Sequence, residues 1–370
     1  MHGDIVSLFL CGDVMLGRGV DQILPHHGDP TLRESYVDDA RTYVVLAERA
    51  NGPIPRPVDV FWPWGDALQV LRQAAPAVRI INLETTITRS DGFASGKAIH
   101  YRMHPDNIAC LVAGRPDICT LANNHVLDFG VQGLEETLDV LSAVGLRGVG
   151  AGGDPADAQR PAVVPLQGGG RVLLFACGLG SSGIPAQWAV SQRRPGVAYV
   201  AGPSEAVAAG VLDSVRRVKQ PDDLVVVSLH WGSNWGYAVS SGETDFAHTL
   251  IDGGVDVVHG HSSHHPRPVE VYRDKLILYG CGDFINDYEG IPGHEEYRGD
   301  LRLLYLPSVR IGSGALTGLR MIPMQARRMR LEHASNRDAR WLRSVLDRIS
   351  SRFGTGVGLE QDGELTLLTS

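Results

Sequence analysis

Residues 254–265 read Gly-Val-Asp-Val-Val-His-Gly-His-Ser-Ser-His-His, and four imidazoles lie within the last seven of these positions. The apolar run before them is typical of a buried strand. A strand that ends in such a loop brings several neutral nitrogen ligands to one edge of a sheet, where open α/β proteins place their sites. The stretch therefore predicts a metal site, and the alternative is a histidine-rich surface loop that binds nothing.

The composition indicates a globular protein with a large core. Hydrophobic residues make up 43% of the 370 positions, and the formal net charge of −8 disfavours nonspecific binding to nucleic acid or anionic membranes. No apolar stretch approaches the length needed to span a bilayer. We therefore expect neither nucleic acid nor a membrane as a partner, and the composition leaves the oligomeric state open.

Cysteine usage and the first residues predict a cytoplasmic location. The five cysteines are scattered and none belongs to a CxxC pair, which favours buried, reduced thiols over a disulfide framework. The start of the chain lacks the basic region and the long apolar run of a signal peptide.

Short apolar runs alternate with helical patterns along most of the chain, which predicts an α/β fold with buried sheets. Leu134, Leu138 and Leu141 share one helical face. Ser240 and Glu243 form the pattern of a capping box at the start of another helix. The predicted strands are 5–11, 78–83, 118–121, 172–177, 224–229, 255–259 and 276–279. The later runs, 269–272 with 275–279, 302–307 and 315–323, lack intervening helices and predict hairpins or meanders.

The expected organisation is one domain, 1–325, followed by a helical appendage, 326–370. Residues 21–60 contain prolines, glycines and paired charges with little periodicity, so they predict an insertion, with a lid over the site as one interpretation. Trp341 and Val345 recur at helical spacing in the appendage and predict one amphipathic helix there.

Metal-ligand or proton-transfer residues follow five of the apolar runs. Each motif alone is weak, because a Gly-Asp turn or an Asn-His pair occurs in many proteins by chance, but five in order form a strong signal. Oxygen and imidazole ligands together suit Mn²⁺, Fe²⁺, Zn²⁺ or Mg²⁺. The segments are 11–18 with Asp13, 82–86 with Glu84, 121–130 with Asn124, His125 and Asp128, 229–232 with His230, and the histidine loop 259–265.

The order of these motifs resembles the CapA family, named for poly-γ-glutamate capsule synthesis. The resemblance covers residues 5–290 and is carried by GDVMLGR, NLE, ANNHVLDFG, HWG, GHSSH and EVYRDKLILYGCGDFINDYEG. The CapA family is similar in fold and motif order to the calcineurin-like metallophosphatases. The resemblance implies a four-layer α/β sandwich of metallophosphatase type, in which helices flank two central mixed sheets.

The resemblance also implies roles for individual residues. Glu84 matches the carboxylate that bridges two ions in metallophosphatases. His125 resembles the residue that gives a proton to the leaving group, and Asp128 is suited to orient it. The ligands implied in this way are Asp13, Glu84, Asn124, His230, His261 and His264.

The opening motif departs from the metallophosphatase pattern. Those enzymes usually carry Asp-x-His there, whereas Asp13 is followed by Val14 and Met15. A thioether is a poor ligand for a hard dication. The departure predicts either two ions of unequal affinity or a single ion.

Further residues near these motifs are candidates for contact with the substrate. Arg18 closes the opening motif, and its guanidinium and that of Arg102 are suited to grip a carboxylate or phosphate, with a surface ion pair as the alternative for each. The aromatic residues after His230 predict an apolar wall, with core packing as the alternative. Residues 283–286 either contact the substrate or support the ligands, and an Asx-capped turn is the alternative. The candidates are Arg18 as a catalytic residue and Arg102, Trp231, Trp235, Tyr237, Asp283 and Asn286 as substrate contacts.

Three functions follow from these patterns. The preferred one is a metal-dependent hydrolase that uses activated water on a phosphoester or a γ-glutamyl amide. The second is a non-hydrolytic cyclisation or dehydration of a small molecule on the same fold. The third is a non-catalytic subunit of poly-γ-glutamate synthesis.

Overall fold

The computed structural model describes residues 5–368; the predicted domain ranges also include 1–4 and 369–370, which lie outside the described residues. All seven predicted strands are present, with ends shifted by at most three residues. In chain order the strands are β1 Ile5–Val14, β2 Val78–Leu83, β3 Thr86–Ile87, β4 Arg102–Met103, β5 Ile118–Thr120, β6 Arg147–Val149, β7 Ala151–Gly152, β8 Ala162–Pro165, β9 Arg171–Leu179, β10 Gly196–Val197, β11 Tyr199–Val200, β12 Leu224–His230, β13 Val257–His261, β14 Val269–Tyr272, β15 Lys275–Leu278, β16 Asp283–Ile285, β17 Leu301–Arg310, β18 Leu316–Arg327, β19 Arg330–His333, β20 Gly356–Leu359 and β21 Leu365–Leu368.

The α-helices within residues 5–368 are α1 Arg18–Asp21, α2 Arg41–Asn51, α3 Ala67–Ala74, α4 Ile108–Ala113, α5 Gly130–Ala143, α6 Pro155–Ala158, α7 Glu205–Val218, α8 Ser241–Asp252 and α9 Asn336–Ser350. The predicted capping box opens α8: the Ser240 side chain accepts a hydrogen bond from the Glu243 N–H, and the Glu243 carboxylate accepts one from the Ser240 N–H. Leu134 and Leu141 are buried on α5, as their spacing predicts. None of the helices in this range combines the length and the hydropathy that crossing a membrane requires.

Two mixed sheets form the centre of the fold. The larger has the order β20-β21-β18-β17-β1-β2-β5-β6, with β16 beside β1 and β19 beside β18. The smaller has the order β11-β9-β12-β13-β15-β14, with β8 beside β9. The predicted hairpins are confirmed, because β14 pairs antiparallel with β15 and β17 pairs antiparallel with β18.

Alternating side chains divide the core into layers. In β12, Leu224 and Val226 join a cluster that also contains Leu8 of β1 and therefore lies between the sheets. Val225 and Val227 face a second cluster with α7 and α8, and a third cluster packs α2 to α5 against the larger sheet. The predicted sandwich of four layers, with two central mixed sheets flanked by helices, is confirmed.

The segments before and after this core pack against it. In residues 21–60, Tyr43 and Val44 of α2 are buried against the larger sheet. In the tail, β21 pairs with β18, and Leu342 and Leu346 of α9 are buried between the layers. A lid function for 21–60 and a separate unit at 326–370 stay predictions. All five cysteines are free and buried, as expected.

Candidate metal centre

The alternation of β12 and β13 brings two histidines between the sheets. Leu224 and Val226 face the inter-sheet core, so Ser228 and His230 continue on that face. His230 is in register with His261, the last residue of β13. Their Nδ1 atoms are 2.8 Å apart, and both rings are buried. Two parallel strands thus end in a pair of imidazoles.

Asp13 reaches the same space because β1 contains a bulge. From Leu10 to Asp13 the strand advances three residues, while its neighbour β2 advances two. The extra residue reverses the side-chain alternation. Asp13 therefore faces the space between the sheets, where Asn82 Nδ2 donates a 2.7 Å hydrogen bond to its Oδ1. The bulge requires Gly12, since a Cβ there would lie 1.6 Å from the carbonyl oxygen of Gly282.

Two overlapping groups of buried side chains are arranged to hold a cation. One consists of Asp13, His230 and His261. The other consists of Asp13, Glu84 and Asp283, and within each group the ligand atoms lie within 4.8 Å of one another. Asp13 Oδ2 is buried without a hydrogen-bond partner among residues 5–368. Because a buried carboxylate oxygen without a partner is costly, this arrangement fits a divalent cation that prefers oxygen and imidazole ligands.

Five of the six predicted ligands converge here. Asn124 Oδ1 is 2.9 Å from His230 Nε2, and Glu84 Oε1 is 3.7 Å from the same nitrogen. Asp13 Oδ1 is 3.8 Å from His261 Nδ1. The geometry brings these five residues together and leaves their role as ligands a prediction.

His264, the sixth predicted ligand, lies outside both groups. Its Nδ1 is 3.0 Å from Asp283 Oδ1, and this ion pair raises the pKa of His264 although burial alone would lower it. Asn286 Nδ2 donates a 2.7 Å hydrogen bond to the other oxygen of Asp283. Asp283, expected to contact the substrate, thus stands in a ligand group, and Asn286 and His264 orient its carboxylate.

Burial and crowding perturb the titration of these groups. Burial, reinforced by the charge of Asp283, raises the pKa of Asp13 to about 7. The pKa of Glu84 is raised well above its usual range by burial and by both neighbouring carboxylates. Burial lowers the pKa of His230 and of His261 well below the usual value, so both imidazoles are neutral and able to act as ligands.

His125 and Asp128 form a buried pair beside the ligand groups. His125 Nδ1 is 2.6 Å from Asp128 Oδ2, so Nδ1 carries the proton and Nε2 faces the centre, 3.9 Å from Glu84 Oε1. Lys97 donates hydrogen bonds to Asp128 Oδ1 and to the carbonyl of Asn124. Burial, followed by the charge of Lys97, lowers the pKa of His125 well below its usual value. Sequence reasoning missed Lys97, because a lysine in a glycine- and serine-containing loop carries no distinctive signal.

Two cavities meet at this centre. The smaller, of about 210 Å³, is lined by Glu84, Lys97 and His125 among others. The larger, of about 480 Å³, is lined by Asp283 and a segment around residues 289–300. His264 and Tyr288 line both cavities, and two residues of the second ligand group line one cavity each, Glu84 the smaller and Asp283 the larger.

Arg18 is held inside the protein. Its Nε donates to Asp287 Oδ2 at 2.9 Å and its Nη1 donates to Glu34 Oε1 at 2.9 Å, and all three side chains are fully buried. The guanidinium also lies over the Tyr43 ring, 3.6 Å from its centroid. The charge of Arg18 is thus balanced by two carboxylates, and its role as a catalytic residue stays a prediction.

The remaining candidates divide between core, loops and cavity. Trp231 is fully buried and stacks on Tyr279, so the alternative of core packing describes it. Arg102 donates to the carbonyls of Ser90 and Asp29 and lines neither cavity. Trp235 does line the larger cavity. Tyr237 does not line that cavity. It packs edge-on against His265, with ring centroids 4.8 Å apart.

Comparison with known proteins identifies the family. The sequence profile described as "Bacterial capsule synthesis protein PGA_cap" matches residues 7–288, which contain every predicted ligand. The chain belongs to the PGA_cap family. The predicted relationship to CapA is thereby confirmed.

Relatives from several bacteria share this family. A "probable polyglutamine synthesis accessory protein" of Mycobacterium tuberculosis is 54% identical over 366 residues, covering 99% of this chain and 96% of that protein. The "PGA biosynthesis protein CapA" of Bacillus subtilis is 25% identical over 286 residues, covering 77% of this chain and 64% of that protein. Among solved structures, a 5'-nucleotidase precursor from Thermus thermophilus matches with a TM-score of 0.47 and 14% identity, covering 93% of this chain and 58% of that chain.

Proposed function

We propose that this PGA_cap protein is a metal-dependent hydrolase that cleaves an amide bond in γ-linked glutamate chains. The observation that carries the proposal is the convergence of Asp13, Glu84, Asp283, His230 and His261 from separate strands, with one buried carboxylate oxygen unpartnered in the described residues. A divalent cation held there would polarise the carbonyl oxygen and lower the pKa of water. Perturbed titratable groups beside a cavity support an active site at this position.

His125 supplies the proton transfer in this proposal. Hydrolysis of an amide joins the water oxygen to the carbonyl carbon, breaks the C–N bond and moves one proton to the leaving nitrogen. His125 Nε2 faces the centre while Nδ1–H is fixed on Asp128, so Nε2 takes the proton from water and returns it to the nitrogen. Lys97 and the backbone N–H of Tyr101 hold both oxygens of Asp128, which keeps the imidazole in this orientation.

The names of the relatives support our choice of substrate class. The relatives are named for polyglutamine synthesis and for PGA biosynthesis, so a glutamate polymer is the substrate that we assign to this centre. The chemistry of the centre would also suit a phosphoester, and that class is the comparison substrate.

The test is turnover after controlled removal of metal. The protein is treated with a chelator, dialysed and reloaded with Mn²⁺. It is then incubated with γ-linked glutamate oligomers or with a phosphoester, and the product masses are measured by mass spectrometry. We expect oligomers to gain one water per cleaved bond only in the reloaded sample. Absence of oligomer cleavage with Mn²⁺, Fe²⁺, Zn²⁺ and Mg²⁺ would contradict the proposal, and cleavage of the phosphoester alone would assign the centre to that substrate class instead.

A second candidate is a non-catalytic accessory role, favoured by the word "accessory" in the name of the 54% identical relative. In that case the metal would stabilise a binding surface, and the proton-transfer pair would be dispensable. His125→Ala would then leave polymer synthesis intact in cells, whereas His261→Ala would lower thermal stability. Equal loss of polymer synthesis with both variants folded favours the hydrolase.

A further inference from the structure

Lys97 is the one lysine whose ammonium lies beside the candidate centre. The chain contains only three lysines, and Lys219 and Lys275 both pair with Asp256. The Lys97 side chain is 13% exposed, and the exposed part lines the smaller cavity. The ion pair with Asp128 balances the charge of Lys97, so the question that remains is what its third N–H binds.

The hydrogen bonds of the Lys97 ammonium show which kind of ligand fits the smaller cavity. An ammonium has three N–H donors. Lys97 uses one on Asp128 and one on the Asn124 carbonyl. In the tautomer described above, His125 Nδ1, 3.2 Å away, carries its own proton and does not accept the third N–H. The Trp188 ring, whose centroid is 5.1 Å from the ammonium, offers only a cation–π contact. The side-chain amide nitrogen of Asn124, which lines the same cavity, donates no hydrogen bond within residues 5–368. The cavity therefore offers unused donors to an acceptor.

The position of His125 decides which part of the substrate enters this cavity. His125 lines the smaller cavity and Asp283 lines the larger. A residue that protonates the leaving nitrogen must lie on the leaving-group side. The leaving group accordingly occupies the smaller cavity, and the acyl part extends into the larger one.

We propose that the smaller cavity selects a leaving group that carries a carboxylate, and that Lys97 binds this carboxylate with its third N–H. The inference rests on the proposed hydrolase activity for the direction of the substrate. Lys97 has two functions in this arrangement: it holds Asp128 in place, and it determines specificity. A γ-linked glutamate leaving group has the required α-carboxylate next to the nitrogen that is released.

The test uses the three lysines as separate reporters. The zinc-loaded full chain, which is diamagnetic, is labelled with ¹³C at lysine Cε, and the signals are assigned with Lys219→Gln and Lys275→Gln. It is titrated with L-glutamate, with the diamide of glutamate that lacks both carboxylates, and with inorganic phosphate. We expect glutamate to shift the Lys97 signal saturably, the diamide to leave it in place, and the other two signals to stay unmoved.

Variants measure the contribution of the charge. Lys97→Gln should weaken glutamate binding about tenfold while Lys97→Arg retains most of it, because a hydrogen bond to a charged group is lost only in the first. Lys219→Gln is the matched control and should bind glutamate as the unmodified chain does. The melting temperature of each variant establishes folding, and the titration of the unmodified chain needs no variant at position 97.

The outcomes separate this proposal from the hydrolase itself. An unmoved Lys97 signal at saturating glutamate, an equal response to the diamide, or equally tight binding of phosphate would overturn the carboxylate assignment even if turnover is found. A glutamate-specific shift without turnover would retain the binding role of Lys97 and overturn the hydrolase.

Discussion

Replacing Asp13 by asparagine should stabilise the metal-free protein at alkaline pH. The pKa of Asp13 is raised from 3.8 to about 7 by burial and by the charge of Asp283. The folded state therefore binds more protons than the unfolded state between these values, and its stability falls as pH rises through that window. Each pH unit within this window changes the free energy of unfolding by about 1.4 kcal/mol. The two units between pH 5 and pH 7 therefore amount to about 3 kcal/mol.

The assay is urea denaturation of chelator-treated protein at several pH values from 5 to 8. Buried neutral histidines such as His230 change the free energy of unfolding in the opposite direction. Because their pKa is lowered in the folded state, stability rises with pH until the pKa of the unfolded state is passed. The difference between the unmodified chain and Asp13→Asn removes that common contribution. Asp245→Asn, on the exposed face of α8, controls for the loss of one negative charge.

We subtract the free energy of unfolding of the unmodified chain from that of Asp13→Asn. This difference should rise by about 3 kcal/mol between pH 5 and pH 8. Adding Mn²⁺ at one hundred times its dissociation constant should stabilise the unmodified chain by about 2.7 kcal/mol and Asp13→Asn by much less. A difference that does not depend on pH would refute the claim that crowded, buried carboxylates define this centre.

Four further substitutions test separate parts of the structure, and urea denaturation measures stability in each. His125→Ala should lower turnover on the glutamate oligomer about 10²- to 10⁴-fold with stability retained; unchanged turnover would remove its proton-transfer role. Gly12→Ala should cost about 3 kcal/mol, because its Cβ would meet the backbone of Gly282, and a silent substitution would contradict the bulge. Trp231→Ala should cost about 3–5 kcal/mol as a core residue; a loss of substrate binding alone would instead make it a cavity wall. Arg18→Ala should cost about 3–5 kcal/mol, since it leaves two carboxylates buried without their counter-charge, and a small cost with lost turnover would instead support the predicted catalytic role of Arg18.

The strands and most of the centre could be predicted because their signals are local. An apolar run that ends in a polar residue marks the carboxyl end of a buried strand, and this pattern correctly brought Glu84, His230 and His261 together. The hairpins were predictable for the same reason, since the runs follow each other without a helix between them.

The missed features depend on partners that are distant in the sequence. Arg18 pairs with Asp287, which lies 269 positions away, and nothing near Arg18 in the sequence shows that its charge is balanced inside the protein. Lys97 meets Asp128 through a loop without periodicity. Spacing alone also does not reveal that Asp283, which pairs with His264, stands in a ligand group.

The bulge in β1 divides the strand into two parts that have different functions. Residues before it specify how the layers stack, whereas the residue after it specifies what the site can bind. Deleting Gly12 would remove the bulge and leave Asp13 two residues after Leu10, on the same face between the sheets and still opposite Asn82. A family member without the bulge could thus keep the aspartate in the site, so the residue of β2 that the aspartate faces is a better marker of metal binding than the number of residues before it.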